Sequence, residues 1–393
     1  MKAKRLLTLP PYLFEELERR CLEAENQGRD VIDLSIGDPD LPPPVSLVSN
    51  LETALLEDRH HRYPPQRGAP ELKASIRRYL YRRCGVEPAD DQILVLVGSK
   101  EGIAHLPLAV CNPGETVLVP DPGYPVYTSS AQFAGCTAAH FALRESNGYL
   151  PDFEGMRSRD RSSARLLFLN YPNNPTGAVA PGVVFDEALR FGKATGAVVA
   201  NDAAYADVYF GGDPVPLLCA RDGALDLPTI EFFSFSKTFC ITGWRIGFAV
   251  GRSDVIEALA HLKANVDSGV FGAIQAAAAV TLDTDGDRYA ESMRATFGKR
   301  REMTLAALEK LHFHCFSSCA TFYVWVRVPS ADDPRGVRGA ENAMGYALHL
   351  LEKTDVLVTP GTGFGGGGEG YCRMAVPQPG ARIYVAVARI AAL

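Results

Sequence analysis

No long run of lysine or arginine, no membrane-length apolar stretch and no CxxC pair occurs in the 393 residues, and each absence closes a class of function. The first removes the electrostatic footprint of a nucleic-acid binder, and a formal net charge of −6 argues the same way. The second leaves no segment able to span a bilayer. In the stretch MKAKRLLTLPPYLFEEL, Pro10, Pro11 and Glu15 cut the apolar run short of a signal sequence, so a soluble, cytoplasmic protein is expected. The nine cysteines are odd in number and scattered, which suggests reduced thiols in a reducing compartment. His312, His314, Cys315 and Cys319 in LHFHCFSSC match no standard zinc spacing, and no second ligand pair stands elsewhere. No metal is therefore expected, and the segment reads as the lead-in to a strand, TFYVWVRV. Small molecules remain as the expected partners.

What is present is a globular composition, 47% hydrophobic and 22% charged, in a chain long enough for two cored domains. Leu13, Phe14, Leu17, Cys21 and Ala24 recur at helical spacing over residues 12–27, and Gly28 follows as a stop signal. The short runs VIDLSI, ILVLVG, TVLVP, RLLFLN, AVVAND, IEFFSF and IGFAVG then alternate with helix-length segments. Continuous apolar strands between helices imply an α/β fold with a mostly parallel sheet covered on both faces. After about residue 285 the rhythm changes to that of a smaller α+β unit. The expected division is a large domain over 41–285, with a small domain and N-terminal arm from 1–40 and 286–393. The glycine run GTGFGGGGEG, 361–370, lacks the lysine and hydroxyl residue of a phosphate loop and joins two strands. It is expected to be a mobile, hairpin-like loop that delivers Arg373.

Lys237 stands between the apolar runs IEFF and IGFAV, where a lysine needs a partner or a purpose. Ser234, Ser236 and Arg245 flank it, a set suited to a phosphate dianion. In GSKEGIAHL a strand ends at Gly98 and a helix starts at Ser99, whose free amides can bind an anion. Asp202 closes the strand AVVAND at the edge where open α/β sheets hold ligands, with Tyr205 three residues on and Asn174 in NYPNNPTG. Singly, Ser99 reads as an N-cap, NPTG as a turn and Asp202 as a helix cap. Together they supply what a pyridoxal phosphate needs: a lysine for an imine, an anion cradle, a carboxylate for the ring nitrogen and donors for the ring oxygen.

The motifs NYPNNPTG, NDAAYADVY and SFSKTFCITGWRIGF, in this order, resemble the class I/II aminotransferases of pyridoxal-phosphate fold type I. The likeness covers nearly the whole chain, from SIGDPD through HRYPPQRGAPELK to GEGYCRMAV. GSKEGIAHLPLAVCNPGETVLVPDPGYPVY, IEFFSFSKT and NVDSGVFGAIQ are similar to the LL-diaminopimelate aminotransferase branch. The resemblance implies a seven-stranded large pyridoxal-phosphate-binding domain and a small α+β domain. It implies that Lys237 carries the cofactor and moves the α-proton, that Asp202 pairs with the ring nitrogen, and that Tyr205 and Asn174 hold the ring oxygen. Tyr124 would stack on the ring, while Ser99, Lys100, Ser234, Ser236 and Arg245 would hold the phosphate. Tyr63 would reach the phosphate of a neighbouring subunit, which implies a homodimer with shared sites. Arg373 would grip the substrate carboxylate beside Gly37, with Asn174, Tyr12 and Lys100 on the substrate side.

Transamination between an L-amino acid and a 2-oxo acid is the implied reaction, with LL-diaminopimelate and 2-oxoglutarate as the implied pair. The chain departs from the branch at Phe235, Phe239, Cys240 and Ile241, where the familiar form reads closer to SLSKTYNMTGWR. Ser268 is the nearest counterpart of an asparagine expected near NVDSGVF, and no basic addition follows Arg373 in MAVPQPGAR. These departures keep open another amino acid as substrate, or a pyridoxal-phosphate elimination, replacement or cyclisation.

Overall fold

The computed structural model describes residues 3–7, 9, 13–330, 332–333 and 342–393. Tyr12 lies outside the described residues. The chain's strands, in order, are β1 (Ile32–Asp33), β2 (Ile93–Leu96), β3 (Thr116–Asp121), β4 (Thr137–Ala142), β5 (Ala164–Leu169) and β6 (Val198–Asp202). They continue with β7 (Thr229–Ser234), β8 (Gly247–Gly251), β9 (Tyr323–Arg327), β10 (Val356–Leu357), β11 (Thr359–Pro360) and β12 (Tyr371–Ala375). Seven of them form one sheet in the order β2-β8-β7-β6-β5-β3-β4. Only β8 runs against its neighbours, so the sheet is mostly parallel, as expected.

The apolar runs account for the sheet's interior. Every residue of β2, β6, β7 and β8 is buried, because helices cover both faces. Phe233 and Phe248 stack across β7 and β8 at 4.7 Å on one face, while Phe168, Phe232 and Ala249 pack on the other. Each buried phenylalanine or leucine contributes about 1.5–3 kcal/mol relative to exposure.

Two strand readings change. VIDLSI does not enter this sheet; its β1 residues pair in parallel with β10, and Leu17 and Ala24 of helix Leu13–Asn26 pack on Leu351 and Leu357. The seventh strand is instead β4, TAAHFA, an edge strand in which Phe141 alone is buried. Its mixture of exposed and half-buried residues gives no continuous apolar run to recognise.

The glycine run connects the antiparallel pair β11 and β12, as the hairpin-like reading expects, and folds into two tight turns with Phe364 and Gly368 buried. Asp121 anchors it, accepting from the Gly367 amide at 2.8 Å. In LHFHCFSSC, His314 pairs with Glu145 and Cys315 bridges Val326 of β9, so the lead-in reading describes its placement.

Candidate active site

The sheet topology explains why residues far apart in sequence meet. β2, β3, β5, β6 and β7 point the same way, so their C-terminal ends deliver Ser99, Tyr124, Asn174, Asp202 and Lys237 to one edge. The antiparallel β8 begins at that same edge, which brings in Arg245 just before it. The result is a cleft of about 240 Å³. Gly37, Ser99, Lys100, Tyr124, Asn174, Asp202, Tyr205, Ser234, Ser236, Lys237, Arg245 and Arg373 all line it.

One end of the cleft is an anion cradle. Helix Ser99–Val110 opens there with its first-turn amides, and the Ser234 and Ser236 hydroxyls and the Arg245 guanidinium stand beside it. Gly98 makes the approach possible: it has φ +74°, and a Cβ on it would lie 2.6 Å from an Arg245 terminal nitrogen. Arg245 itself adopts φ +56° and donates to the Thr242 carbonyl at 2.8 Å.

Asp202 is buried and held by neutral donors, the Tyr127 hydroxyl at 2.8 Å and the Ala204 amide at 3.1 Å. Burial pushes its carboxyl up to about 6, and these two bonds oppose the rise. A carboxylate desolvated in this way and lining the cleft suits a cationic ring nitrogen. Lys237 stands on the one-turn helix Phe235–Thr238, and its Nζ donates to the Gly37 carbonyl at 2.6 Å. Burial brings its ammonium down to about 8; Arg373 and Arg245 add to the fall, and Asp38 opposes it. An amine in that range is neutral often enough near physiological pH to act as nucleophile and base. Burial, with the charge of Asp202 second, raises the Tyr124 phenol to about 12, so its ring enters the cleft as a neutral face.

Arg373, buried on β12, donates to Asn174 Oδ1 at 2.7 Å and to the Ser35 carbonyl at 2.6 Å. Its guanidinium carbon lies 4.1 Å from the Tyr323 ring centroid and 4.7 Å from that of Phe364. The fork is thus oriented before any carboxylate arrives. A Cβ at Gly37 would fall 2.0 Å from the Tyr323 hydroxyl, so glycine is required where this segment crosses the site.

Two residues expected to serve a neighbouring subunit's site lie outside the cleft of their own chain: Tyr63 is 89% exposed, and Ser268 is exposed after helix Ser253–Val266. Three site residues went unread in the sequence. Tyr323 lines the cleft with its hydroxyl 2.6 Å from that of Tyr205, yet in TFYVWVRV it is one more aromatic of a strand. Tyr127 supports Asp202, and its place one turn after Tyr124 in DPGYPVY was the available signal. Phe364 flanks Arg373 from within the glycine run. The donor set, an anion cradle, a reactive amine and a desolvated carboxylate on one cleft, fits pyridoxal phosphate.

The family model described as aminotransferase class I and II matches residues 29–390. The LL-diaminopimelate aminotransferase of Nitratidesulfovibrio vulgaris is 40% identical over 393 residues, which cover 100% of this chain and 98% of the relative. The enzyme of the same name from Aquifex aeolicus is 40% identical over 387 residues, 98% and 97% of the two chains. Among solved structures, substrate-bound BacF from Bacillus subtilis superposes with a TM-score of 0.93 at 34% identity, covering 100% and 97%. A double mutant of Thermus thermophilus aspartate aminotransferase gives 0.91 at 26%, covering 100% and 99%. Likeness of that extent bears out the resemblance read from the motifs: this chain belongs to the class I and II aminotransferases, enzymes that use pyridoxal phosphate to move an amino group from an amino acid to a 2-oxo acid.

Proposed function

We propose that the enzyme transfers an amino group from LL-diaminopimelate to 2-oxoglutarate, a step of lysine biosynthesis. The observation that carries this substrate is the 40% identity, over nearly the full length of both chains, to relatives bearing that name. Ser99, Ser234, Ser236, Arg245 and the amides at the start of helix Ser99–Val110, including that of Lys100, would hold the cofactor phosphate. Asp202 would face the ring nitrogen, Tyr124 the ring face, and Tyr205 and Asn174 the ring oxygen. When bound, pyridoxal phosphate supplies an electron-withdrawing ring that takes up the electron pair left at the substrate α-carbon.

The remaining chemistry belongs to the chain. Arg373 binds the α-carboxylate in two parallel hydrogen bonds and so fixes which α-substituent points at Lys237. Lys237 Nζ would remove the α-proton and carry it as the base and acid that transamination requires. Asp202, as the anion, would favour a positive charge on the ring nitrogen. Lys100 lines the cleft with Nζ 5.8 Å from the Tyr124 ring centroid, and a contact from it to the substrate is part of the proposal.

The flank that kept elimination and cyclisation open has a packing role. Phe239 and Ile241 are buried, and Phe239 stacks on Phe235 with ring centroids 5.6 Å apart. A homodimer with shared sites is part of the proposal. Exposed Tyr63, Leu56, Val266 and Phe271 support it, with the His61 and Phe271 rings 6.2 Å apart on the same face. A cytoplasmic setting accords with nine free cysteines.

The test supplies the purified holoenzyme with LL-diaminopimelate, L-aspartate and a panel of aliphatic and aromatic amino acids, with 2-oxoglutarate as acceptor, and measures glutamate formed. Fastest glutamate production with LL-diaminopimelate is expected. No turnover of that compound, with rapid turnover of another donor, would overturn the substrate while leaving the reaction.

A further inference from the structure

Lys237 rides on a helix of a single turn, Phe235–Thr238. So short a helix cannot fix its own orientation, since one turn orders several residues for very few hydrogen bonds. Something outside it must hold it. The Ser234 hydroxyl caps it, accepting from the Ser236 amide at 3.3 Å, and its other tie is to a carboxylate with no place in the chemistry so far.

That carboxylate is Asp207. It is buried, and it lines not the cleft but a separate cavity of about 180 Å³ behind the lysine helix, together with Tyr79, Arg83 and Thr238. Asp207 Oδ2 accepts from Thr238 Oγ1 at 2.9 Å. The Tyr79 hydroxyl donates to both its oxygens, at 2.9 and 3.0 Å, and Arg83 Nε stands 3.8 Å from Oδ1. Arg83 also donates to the carbonyls of Ala206 at 3.3 Å and Val215 at 3.1 Å. Helix Pro70–Cys84 therefore backs the carboxylate, while the carboxylate holds the residue next to the lysine. Asp207 itself belongs to the turn that begins at Asp202 and includes Tyr205.

We infer that Asp207 is a positioning residue for the reaction: through Thr238 it sets the lysine helix relative to the turn that carries Asp202 and Tyr205. Several hydrogen bonds converging on one buried carboxyl group are directional and mutually reinforcing, which suits a part that must not drift. The inference rests on the proposed role of Lys237. A misplacement of the amine well under 1 Å costs rate more than affinity, because Arg373, on a different sheet, still binds the substrate.

The experiment uses holoenzyme carrying Thr238→Val, Thr238→Ser or Tyr79→Phe, in the half-reaction with L-glutamate and in visible circular dichroism of the bound cofactor. Thr238→Val is expected to lower the half-reaction rate about 5- to 50-fold, to change KM less than about two-fold and to alter the dichroic band. Thr238→Ser, which keeps the hydroxyl, should restore both. Tyr79→Phe takes a bond from the same carboxylate without touching the lysine helix. It should lower the melting temperature while keeping the rate within about two-fold. Should Thr238→Val fold poorly, Asp207→Asn is the second probe, with the same loss of rate and altered band expected. A wild-type rate and band in Thr238→Val, or in Asp207→Asn where that is the probe, would overturn the inference, as would equal rate losses in Tyr79→Phe and Thr238→Val. Turnover by Lys237→Ala would instead overturn the role of the lysine, which separates the two failures.

Discussion

Replacing Lys237 with methionine should stabilise the cofactor-free protein at neutral pH, although it destroys the enzyme. The lysine's fall from 10.5 to about 8, caused first by burial, corresponds to roughly 3 kcal/mol held against the folded state. Methionine is unbranched like lysine, one atom shorter, and needs no water, but it loses the bond from Nζ to the Gly37 carbonyl, worth about 1 kcal/mol. With some solvent still reaching the half-buried amine, the net gain is about 1–2 kcal/mol. For 393 residues, at about 2 cal/mol/K each, that is a rise in Tm of roughly 1–3 °C.

The pH dependence gives the reasoning its sign. Below about pH 8 the amine is protonated in folded and unfolded chains alike, and the full cost is present. Between about pH 8 and 10.5 the folded protein holds it neutral while the unfolded chain still binds the proton, so wild-type stability rises with pH. The gap between Lys237→Met and wild type should therefore close over this window. Thermal unfolding of both cofactor-free proteins from pH 7 to 10.5 measures it. A methionine variant less stable than wild type at pH 7, with a gap that ignores pH, would refute the account of a desolvated amine.

Arg373→Ala should reduce kcat/KM about 10- to 150-fold, the loss of one charge-paired contact at roughly 1.5–3 kcal/mol, as read by steady-state kinetics. Cys240→Gly should raise stability to urea by about 0.5–1 kcal/mol with little change in kcat, because Cys240 holds φ +53°, where side chains with a Cβ are strained. If sites are shared between subunits, a refolded mixture of inactive Lys237→Ala and Tyr63→Ala chains should regain about a quarter of wild-type activity, since half the dimers would carry one intact site. Activity no higher than that of the parents would count against the shared site.

The cofactor half of the site was legible because its residues sit where strands end, and strand ends are marked by a change from apolar runs to hydroxyls, carboxylates and glycines. Asp202, Ser234 and Lys237 announce themselves in this way. Tyr323 does not: its side chain lies on β9, and only the chain's return through β11 and β12 turns that face toward Arg373. β4 escaped for a related reason, since an edge strand half open to solvent has no apolar signature. The departures at Phe239, Cys240 and Ile241 were visible as differences but not as causes. Two of them are core packing, and the third marks a left-handed backbone position, a conformation that asparagine in the familiar motif tolerates better than cysteine.

Ser234, the last residue of β7, is paired across the ladder with Gly247, the first of β8. Lys237 and Arg245 hang from the single loop between them, so the span from reacting amine to phosphate anchor is gauged by the register of a buried ladder. Arg373 belongs to the other, three-stranded sheet and answers to different packing. Change can therefore accumulate on the substrate side, and carboxylate recognition can be retuned, while the length of cofactor the cleft accepts stays the same.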